Sequence, residues 1–217
     1  THPKALGLVE EIPFFARQTR LTFARCGVID PLSLSDYEAH GGLSGLRRAL
    51  KMVPEEIVSE VTESGLRGRG GAGFPTGLKW QTVAGAQADQ KYIVCNADEG
   101  DSGTFADRMI IEGDPFSLIE GMIIAGIATG ATKGYVYLRS EYPDAIAVLR
   151  EAVRTGQTSG LPVSHLLGSA CPFEIQIRIG PGAYACHETT SLRNSFARKL
   201  GLALAQPPFP PPQAPMQ

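Results

Sequence analysis

The sequence has few of the residues that build metal sites or disulfide scaffolds. Its 217 residues include four cysteines and four histidines, and Cys26, Cys95, Cys171 and Cys186 form no C-x-x-C pair. A disulfide framework is not expected for isolated cysteines in a chain of this size. Nor can they supply the clustered thiolates of a ferredoxin-type cluster. We therefore expect no metal site and interpret each cysteine as a small buried residue.

The sequence also lacks an excess of basic charge and a long hydrophobic run. Twenty Lys and Arg against 22 Asp and Glu give a net charge of −2, whereas a nucleic-acid surface needs a basic face. The longest apolar run, residues 118–131, contains Glu120 and is too short to cross a bilayer, so it predicts a buried helix. No secretory h-region follows Thr1. We expect no nucleic-acid partner and no direct membrane insertion.

Helical and strand patterns alternate along the rest of the chain. Helices are predicted to start near Gly42, at Pro54, near Pro75, after Asp114 as the cap, at Pro143 and at about Thr189 or Thr190. Strands are predicted over residues 91–95, 134–138 and 173–179. This order predicts an α/β fold with three layers, in which a largely parallel sheet carries helices on both faces.

Composition divides the chain into three parts. Residues 1–40 show few periodic signals and are interpreted as an N-terminal extension, an extended arm with short turns. Residues 41–205 hold the alternating pattern and are predicted to form the ligand-binding α/β domain. Residues 206–217 contain six prolines and are predicted to be a Pro-rich tail without regular structure.

The most informative segment is the glycine-rich stretch from Gly65 to Trp80, with six glycines in sixteen residues. A chain this rich in glycine can bring its backbone N–H groups close to a ligand, and Arg67, Arg69 and Lys79 favour a phosphate. A flexible linker is the alternative, but linkers rarely interleave Arg, Phe and Trp. The stretch matches neither the Rossmann fingerprint nor the P-loop convincingly.

Two more polar clusters follow predicted strands, where open α/β sheets form their ligand crevice. Residues 96–104 combine amide, carboxylate and hydroxyl groups suited to ribityl hydroxyls and a carboxamide, although an ordinary surface turn has a similar composition. Residues 182–190 form the other cluster. Together the three clusters predict a phosphate-bearing ligand, a nucleotide or a flavin.

The motifs at residues 63–80, 95–100 and 182–184 resemble the NADH-binding flavoprotein family, the 51-kDa subunit of respiratory complex I with its relatives in NAD-reducing hydrogenases and formate dehydrogenases. The resemblance covers about residues 40–190. Residues 98–109 and 112–116 are most similar to the formate dehydrogenase β subunit. One departure is His187, which stands where the family has a glycine.

The resemblance implies an FMN on which NADH stacks, with hydride transfer between nicotinamide and flavin and no catalytic acid or nucleophile. The implied FMN-binding residues are Gly68, Arg69, Gly70, Gly71, Lys79, Asn96, Asp98, Glu99, Tyr184 and Glu188. The implied NADH-binding residues are Phe74, which stacks on the adenine, Asp101, Thr189 and Phe209.

The resemblance further implies an electron-transfer subunit with a cytoplasmic location, in first place the β subunit of an NAD-dependent cytoplasmic formate dehydrogenase. A diaphorase subunit of complex I or of an NAD-reducing hydrogenase, and a non-catalytic fragment serving assembly or binding, stay open. The implied partners are a small thioredoxin-like [2Fe–2S] subunit and a large cluster-bearing catalytic subunit, the molybdenum or tungsten formate dehydrogenase α subunit. The family's ubiquitin-like domain and its [4Fe–4S] helical domain, with the cluster ligands, are not expected in this chain.

Overall fold

The computed structural model describes residues 3–69, 71–101, 103–159, 173–180, 192 and 194. Three parallel strands form one sheet in the order β1-β2-β3: β1 Tyr92–Ala97, β2 Lys133–Arg139 and β3 Glu174–Gly180. The α-helices are α1 Pro13–Ala16, α2 Leu34–Ala39, α3 Ser44–Ala49, α4 Pro54–Glu63, α5 Thr76–Gly85, α6 Ala106–Gly113, α7 Pro115–Thr129 and α8 Pro143–Thr158, and a short 3-10 helix spans Val9–Glu11. The predicted α/β fold with a parallel sheet is confirmed.

One face of the sheet forms the main core. Register pairs Cys95 with Val136 and Val136 with Ile177, so these side chains share a face. That face belongs to the same hydrophobic cluster as Ile119 and Ile123 of α7 and Ala145 and Leu149 of α8. The opposite face carries a more polar and aromatic set: Tyr92, Val94, Asn96, Tyr135, Tyr137, Gln176 and Arg178. The two faces therefore differ in chemistry as well as in packing.

Helix α7 is the central helix of the fold. It contacts β1, β2, α3, α4, α5, α6 and α8, and its sequence is apolar on nearly all sides, as a helix buried all round requires. Asp114 precedes it as predicted, but the Asp114 side chain makes no cap hydrogen bond. Its carboxylate instead pairs with the Arg25 guanidinium at 2.8 Å, because burial makes an opposite charge the better partner. Among the described residues, no helix is long and apolar enough to cross a membrane.

Helices α4 and α5 pack closely against each other and flank the glycine-rich stretch. A Cβ built on Gly77 of α5 would lie 2.2 Å from Thr62 Oγ1 of α4, so only glycine fits at this crossing. Pro54 occupies the first turn of α4, as predicted. This contact fixes the two ends of the loop that connects the helices.

The interpretation of residues 1–40 as an extended arm needs correction. Residues 34–39 form α2, and Cys26, Ile29 and Tyr37 are buried. Tyr37 packs against Phe116 of α7 with the ring centroids 5.8 Å apart, and Arg25 pairs with Asp114. These residues have no helical periodicity because single long-range contacts place them. The division into an extension, a domain of residues 41–205 and a tail stays a prediction.

Beyond residue 40, most predicted elements lie where the patterns indicated, with two differences. Helix α8 ends at Thr158 rather than near Val153, and the sequence did not indicate α6. The helix predicted from Thr189 or Thr190, the loop at residues 182–190 and the tail lie outside the described residues, apart from the single positions Leu192 and Asn194.

Candidate functional site

Two neighbouring strands end in charged residues that meet at the carboxyl edge of the sheet. Asp98 follows β1 directly, and Arg139 is the last residue of β2. The Arg139 Nε lies 3.2 Å from Asp98 Oδ1, with the two side chains 17 % and 3 % exposed. Parallel strands bring their carboxyl ends to one edge, and this is where open α/β sheets bind ligands. An ion pair with a buried carboxylate therefore marks the edge at which the sequence predicts the cofactor.

The backbone after Asp98 is held by two side chains, one from the last residue of β2 and one from the segment that follows β2. The carbonyl of Glu99 accepts a hydrogen bond from Arg139 Nη1 at 3.1 Å and another from the Tyr142 hydroxyl at 2.7 Å. The Arg139 guanidinium also lies over the Tyr142 ring, 5.7 Å from its centroid. A carbonyl that accepts two bonds has both lone pairs used, which fixes the orientation of this peptide.

The Glu99 side chain caps a helix. Its Oε1 accepts from the backbone N–H groups of Ala106 at 2.7 Å and Asp107 at 3.2 Å, and its Oε2 accepts from that of Arg108 at 3.2 Å. These are the first three residues of α6, whose own N-cap, Phe105, has no side-chain oxygen. A carboxylate at this position also interacts favourably with the helix dipole. In this structure the Glu99 carboxylate therefore binds α6, and its predicted role in cofactor binding stays a prediction.

The glycine-rich stretch forms a closed loop between α4 and α5. Arg67 and Pro75 make an antiparallel bridge, the Gly68 N–H donates to the Phe74 carbonyl at 2.9 Å, and Arg67 Nη1 donates to the Gly73 carbonyl at 2.9 Å. Hydrogen bonds across its base thus hold the two ends of the loop together, unlike those of a flexible linker. Arg67 contributes to this closure through its guanidinium.

The tip of this loop exposes backbone. Gly71 has φ +99° and Gly73 has φ +58°, which residues with a Cβ rarely adopt, and a Cβ built on either would meet no atom within 4 Å. The surrounding space is open, and an incoming ligand would meet peptide groups rather than side chains. Gly70, which the sequence also assigns to this site, lies outside the described residues.

Two exposed cations and an aromatic ring flank the loop. The Lys79 Nζ lies 5.9 Å from the centroid of the Phe74 ring, and Phe74 is 41 % exposed. Arg69 is exposed on the loop itself. An exposed ring is available for stacking, and the cations are available for an anionic group. The structure thus brings together two of the residues that the sequence assigns to FMN and NADH, Phe74 and Lys79, and leaves Arg69 exposed on the loop before them.

Of the remaining residues that the sequence assigns to the site, Asn96 and Asp101 lie within the described ranges and the others lie outside them. Asn96 is exposed near the end of β1, where its Oδ1 accepts from the Asp98 N–H at 3.2 Å. Asp101 opens a turn in which the Thr104 N–H and hydroxyl both donate to its carbonyl. Tyr184, Glu188, Thr189 and Phe209 lie outside the described residues, as does His187.

Sequence reasoning missed Arg139 and Tyr142. Both belong to the run Arg139-Ser140-Glu141-Tyr142, directly after a predicted strand, and that position was the available signal. The run was overlooked because it contains no glycine, and its partners Asp98 and Glu99 are about 40 residues away in the chain.

Two further observations describe the chemistry around the site. Burial, and then the nearby Asp107 carboxylate, raises the pKa of the Cys95 thiol to about 12, so this thiol stays protonated near neutral pH. In the described parts of the chain no group of three or more His, Cys, Asp or Glu residues is placed to hold a metal ion.

Comparisons with known proteins place this chain among flavin-binding domains. A family model described as the Nuo51 FMN-binding domain matches residues 61–214, which extends the similarity beyond residue 190. The HndC component of the NADP-reducing hydrogenase of Solidesulfovibrio fructosivorans is 50% identical over 194 residues, 89% of this chain and 39% of the relative. A component of the NADH-quinone oxidoreductase of Aquifex aeolicus is 47% identical over 178 residues, 82% of this chain and 42% of the relative.

Solved structures agree with this similarity. An NAD+-reducing [NiFe]-hydrogenase in the air-oxidized state superposes with a TM-score of 0.66 at 32% identity, covering 89% of this chain and 30% of that one. The H2-reduced state gives a TM-score of 0.61 at 38% identity, covering 72% and 26%. The chain spans about two-fifths of the length of the curated relatives named above.

Proposed function

The chain belongs to the family of the Nuo51 FMN-binding domain, and on this basis we propose that it binds FMN and NAD(H) as the flavin-bearing part of an electron-transfer enzyme. The observation that carries the proposal is the open glycine loop, where exposed backbone and the exposed Arg69 lie just before α5, whose first turns carry the exposed Lys79. Exposed peptide N–H groups and cations are the groups that hold phosphates in proteins.

The donor chemistry of the described residues fits FMN. The cations and the backbone of the loop suit its phosphate, and the exposed amide of Asn96 suits polar edges of a ribityl chain or flavin ring. Asp98 sits at the same strand end, where Arg139 balances its charge. The Phe74 ring offers an exposed face for the adenine of NADH. We propose these roles for the assigned residues within the described ranges.

FMN, when bound, exchanges a hydride with the nicotinamide and passes electrons on to iron–sulfur clusters of partner subunits. The residues of this chain provide position and electric field. The hydrogen bonds across the base of the glycine loop hold its two ends together, which reduces the ordering needed when a phosphate binds. The two hydrogen bonds that the Glu99 carbonyl accepts fix the orientation of the backbone at the end of this strand, where we propose that the cofactor binds.

For the whole enzyme we propose an NAD-dependent formate dehydrogenase, with this chain in the β subunit. The supporting feature is the similarity of residues 98–109 and 112–116 to that subunit. The proposed partners are a thioredoxin-like [2Fe–2S] subunit and a large molybdenum or tungsten catalytic subunit, in the cytoplasm. A diaphorase subunit of a hydrogenase is the second candidate, and it is favoured by the 50% identity to a hydrogenase component.

The two candidates differ in their electron donor and their metals. The native complex, purified through a tag on this chain, is assayed for NAD⁺ reduction with formate and with H₂, and its metal content is measured. Formate-dependent activity with molybdenum or tungsten supports the first candidate. Activity with H₂ and a nickel content would replace it by the second.

The flavin assignment is tested separately on the purified protein. Reconstitution with FMN should give a yellow protein that reduces ferricyanide with NADH, and Arg69→Ala should lower FMN affinity. Arg150→Ala, which removes an exposed arginine from α8, is the matched control and should leave the affinity unchanged. FMN binding without NADH oxidation would favour the third possibility, a binding or assembly fragment.

A further inference from the structure

The half-buried arginine at the end of β2 contacts three groups with three different nitrogen atoms. Arg139 Nε lies 3.2 Å from Asp98 Oδ1, Nη1 donates to the Glu99 carbonyl at 3.1 Å, and Nη2 donates to Glu141 Oε1 at 2.9 Å. The first two partners are consecutive residues after β1. Because the guanidinium is planar and rigid, holding one of them fixes the other relative to it.

These contacts join the end of β2 to the segment that follows β1, at the edge of the sheet where the cofactor is predicted to bind. Register pairs Ala97 of β1 with Leu138 of β2, so Asp98 and Arg139 are the next residues on adjacent strands. Arg139 therefore reaches sideways along the edge of the sheet rather than out into solvent, and its side chain is 17 % exposed. Arginines that serve only solubility lie on exposed faces instead, as Arg150 does on α8.

The segment from Asp98 to α6 is fixed at both of its ends. At the start, Arg139 and Tyr142 hold the Glu99 carbonyl. At the other end, the Glu99 carboxylate holds the first turn of α6. The orientation of the Asp98 carboxylate therefore depends on Arg139 twice, through the direct ion pair and through the next peptide group.

We propose that Arg139 is a positioning residue for FMN, which orients the Asp98 carboxylate toward the cofactor, directly and by holding the peptide group that follows it. The inference rests on the proposed function, since it requires that the chain binds FMN. Arg139 acts through Asp98 in this proposal and need not touch the flavin. Glu141, its outward partner with a side chain 45% exposed, serves only to complete the set of contacts.

A double-mutant cycle tests the proposal. The variants are R139M, R139K, D98N and R139M/D98N in the natural protein, with R154M as the matched control because Arg154 forms an exposed pair with Glu151 on α8. FMN affinity is measured by quenching of FMN fluorescence on titration with apoprotein. The thermal midpoint of each apoprotein is measured in parallel.

We expect R139M to weaken FMN binding roughly ten- to a hundredfold, the range for a charge-assisted contact. In the D98N background the same change should weaken binding by less than about threefold, because the partner through which it acts has changed. R139K keeps the charge without the fork and should recover part of the loss. R154M should bind FMN like the wild type.

The outcomes separate this inference from the proposed function. A wild type that binds no FMN overturns both. A wild type that binds FMN, together with an R139M variant of equal affinity, overturns the positioning role alone. Equal losses in both Asp98 backgrounds that track the thermal midpoint would show a merely structural role and would also overturn it. If R139M does not fold, R139K compared in the two backgrounds gives the same coupling.

Discussion

Replacing the buried glutamate of α7 should destabilise the fold by an amount that its contacts define. Glu120 is 9% exposed and lies in the middle of α7. Its Oε2 accepts from the Tyr37 hydroxyl at 2.5 Å and from the Leu43 N–H at 2.9 Å, and its Oε1 accepts from the Leu46 N–H at 2.8 Å. One carboxylate thus joins α2, α3 and α7.

These contacts replace a missing helix cap. Leu43 is the N-cap of α3 and has no side-chain oxygen, so Glu120 supplies the acceptor for the Leu46 N–H. Leu43 also has φ +62°, a left-handed conformation that costs a residue with a Cβ about 1–2 kcal/mol. The bond from its N–H to Glu120 helps to hold it there.

The change Glu120→Gln leaves one acceptor oxygen where there were two. Whichever way the amide turns, its NH₂ group faces a buried donor, either the Leu46 N–H or the pair formed by Tyr37 and Leu43. The loss of one charged-acceptor bond should cost about 1.5–3 kcal/mol. For a chain of this size that corresponds to a fall in Tm of about 3–12 °C.

The measurement is a denaturant titration together with a thermal scan of the apoprotein. Glu151→Gln is the matched control, because Glu151 forms an exposed pair with Arg154 that contributes at most about 1 kcal/mol. Tyr37→Phe keeps the ring on Phe116 and removes only the hydroxyl, so it should cost less than Glu120→Gln. Burial and the hydrogen bond to Glu120 raise the pKa of that hydroxyl. A Glu120→Gln variant as stable as the Glu151→Gln control would refute the reasoning.

Three further changes test the site. Lys79→Ala should weaken FMN binding about ten- to a hundredfold in a fluorescence titration, and unchanged affinity would mean that the phosphate lies elsewhere. Glu99→Gln should lower stability by about 0.5–2 kcal/mol in denaturant titrations, because α6 loses a charged cap, and no change would show that the cap is replaceable. The pKa of the Cys95 thiol is raised to about 12 from 9.0, and only the thiolate is alkylated. At pH 8 the alkylation of Cys95 should therefore be roughly a thousandfold slower in the native than in the unfolded protein. The rate in the native protein should still rise with pH at about pH 10. Equal rates would show that the thiol is not held protonated by the fold.

The sequence predicted the elements that local signals encode. Prolines in the first turns of α4, α7 and α8 located the starts of these helices, and short apolar runs located the three strands. The glycine loop was also predictable, because glycine has no Cβ and a stretch rich in glycine lets a ligand come close to the backbone. Each of these signals lies within a few residues of the feature that it predicts.

The rest depends on contacts between distant parts of the chain. Arg139 meets the Glu99 carbonyl 40 residues away, and Glu120 meets Leu43 at a separation of 77 residues. Helix α6 was missed because its N-cap, Phe105, gives no capping signal and the cap comes from Glu99. Long-range hydrogen bonds of this kind leave no periodicity in the sequence, so only the folded arrangement reveals them.

Titration of the apoprotein with FMN tests the central claim most directly. The flavin-domain account predicts saturable binding of one FMN per chain, a yellow product after removal of free flavin, and loss of the flavin absorbance when NADH is added without oxygen. A protein that stays colourless and quenches no FMN fluorescence, while its thermal scan shows that it is folded, would contradict the account.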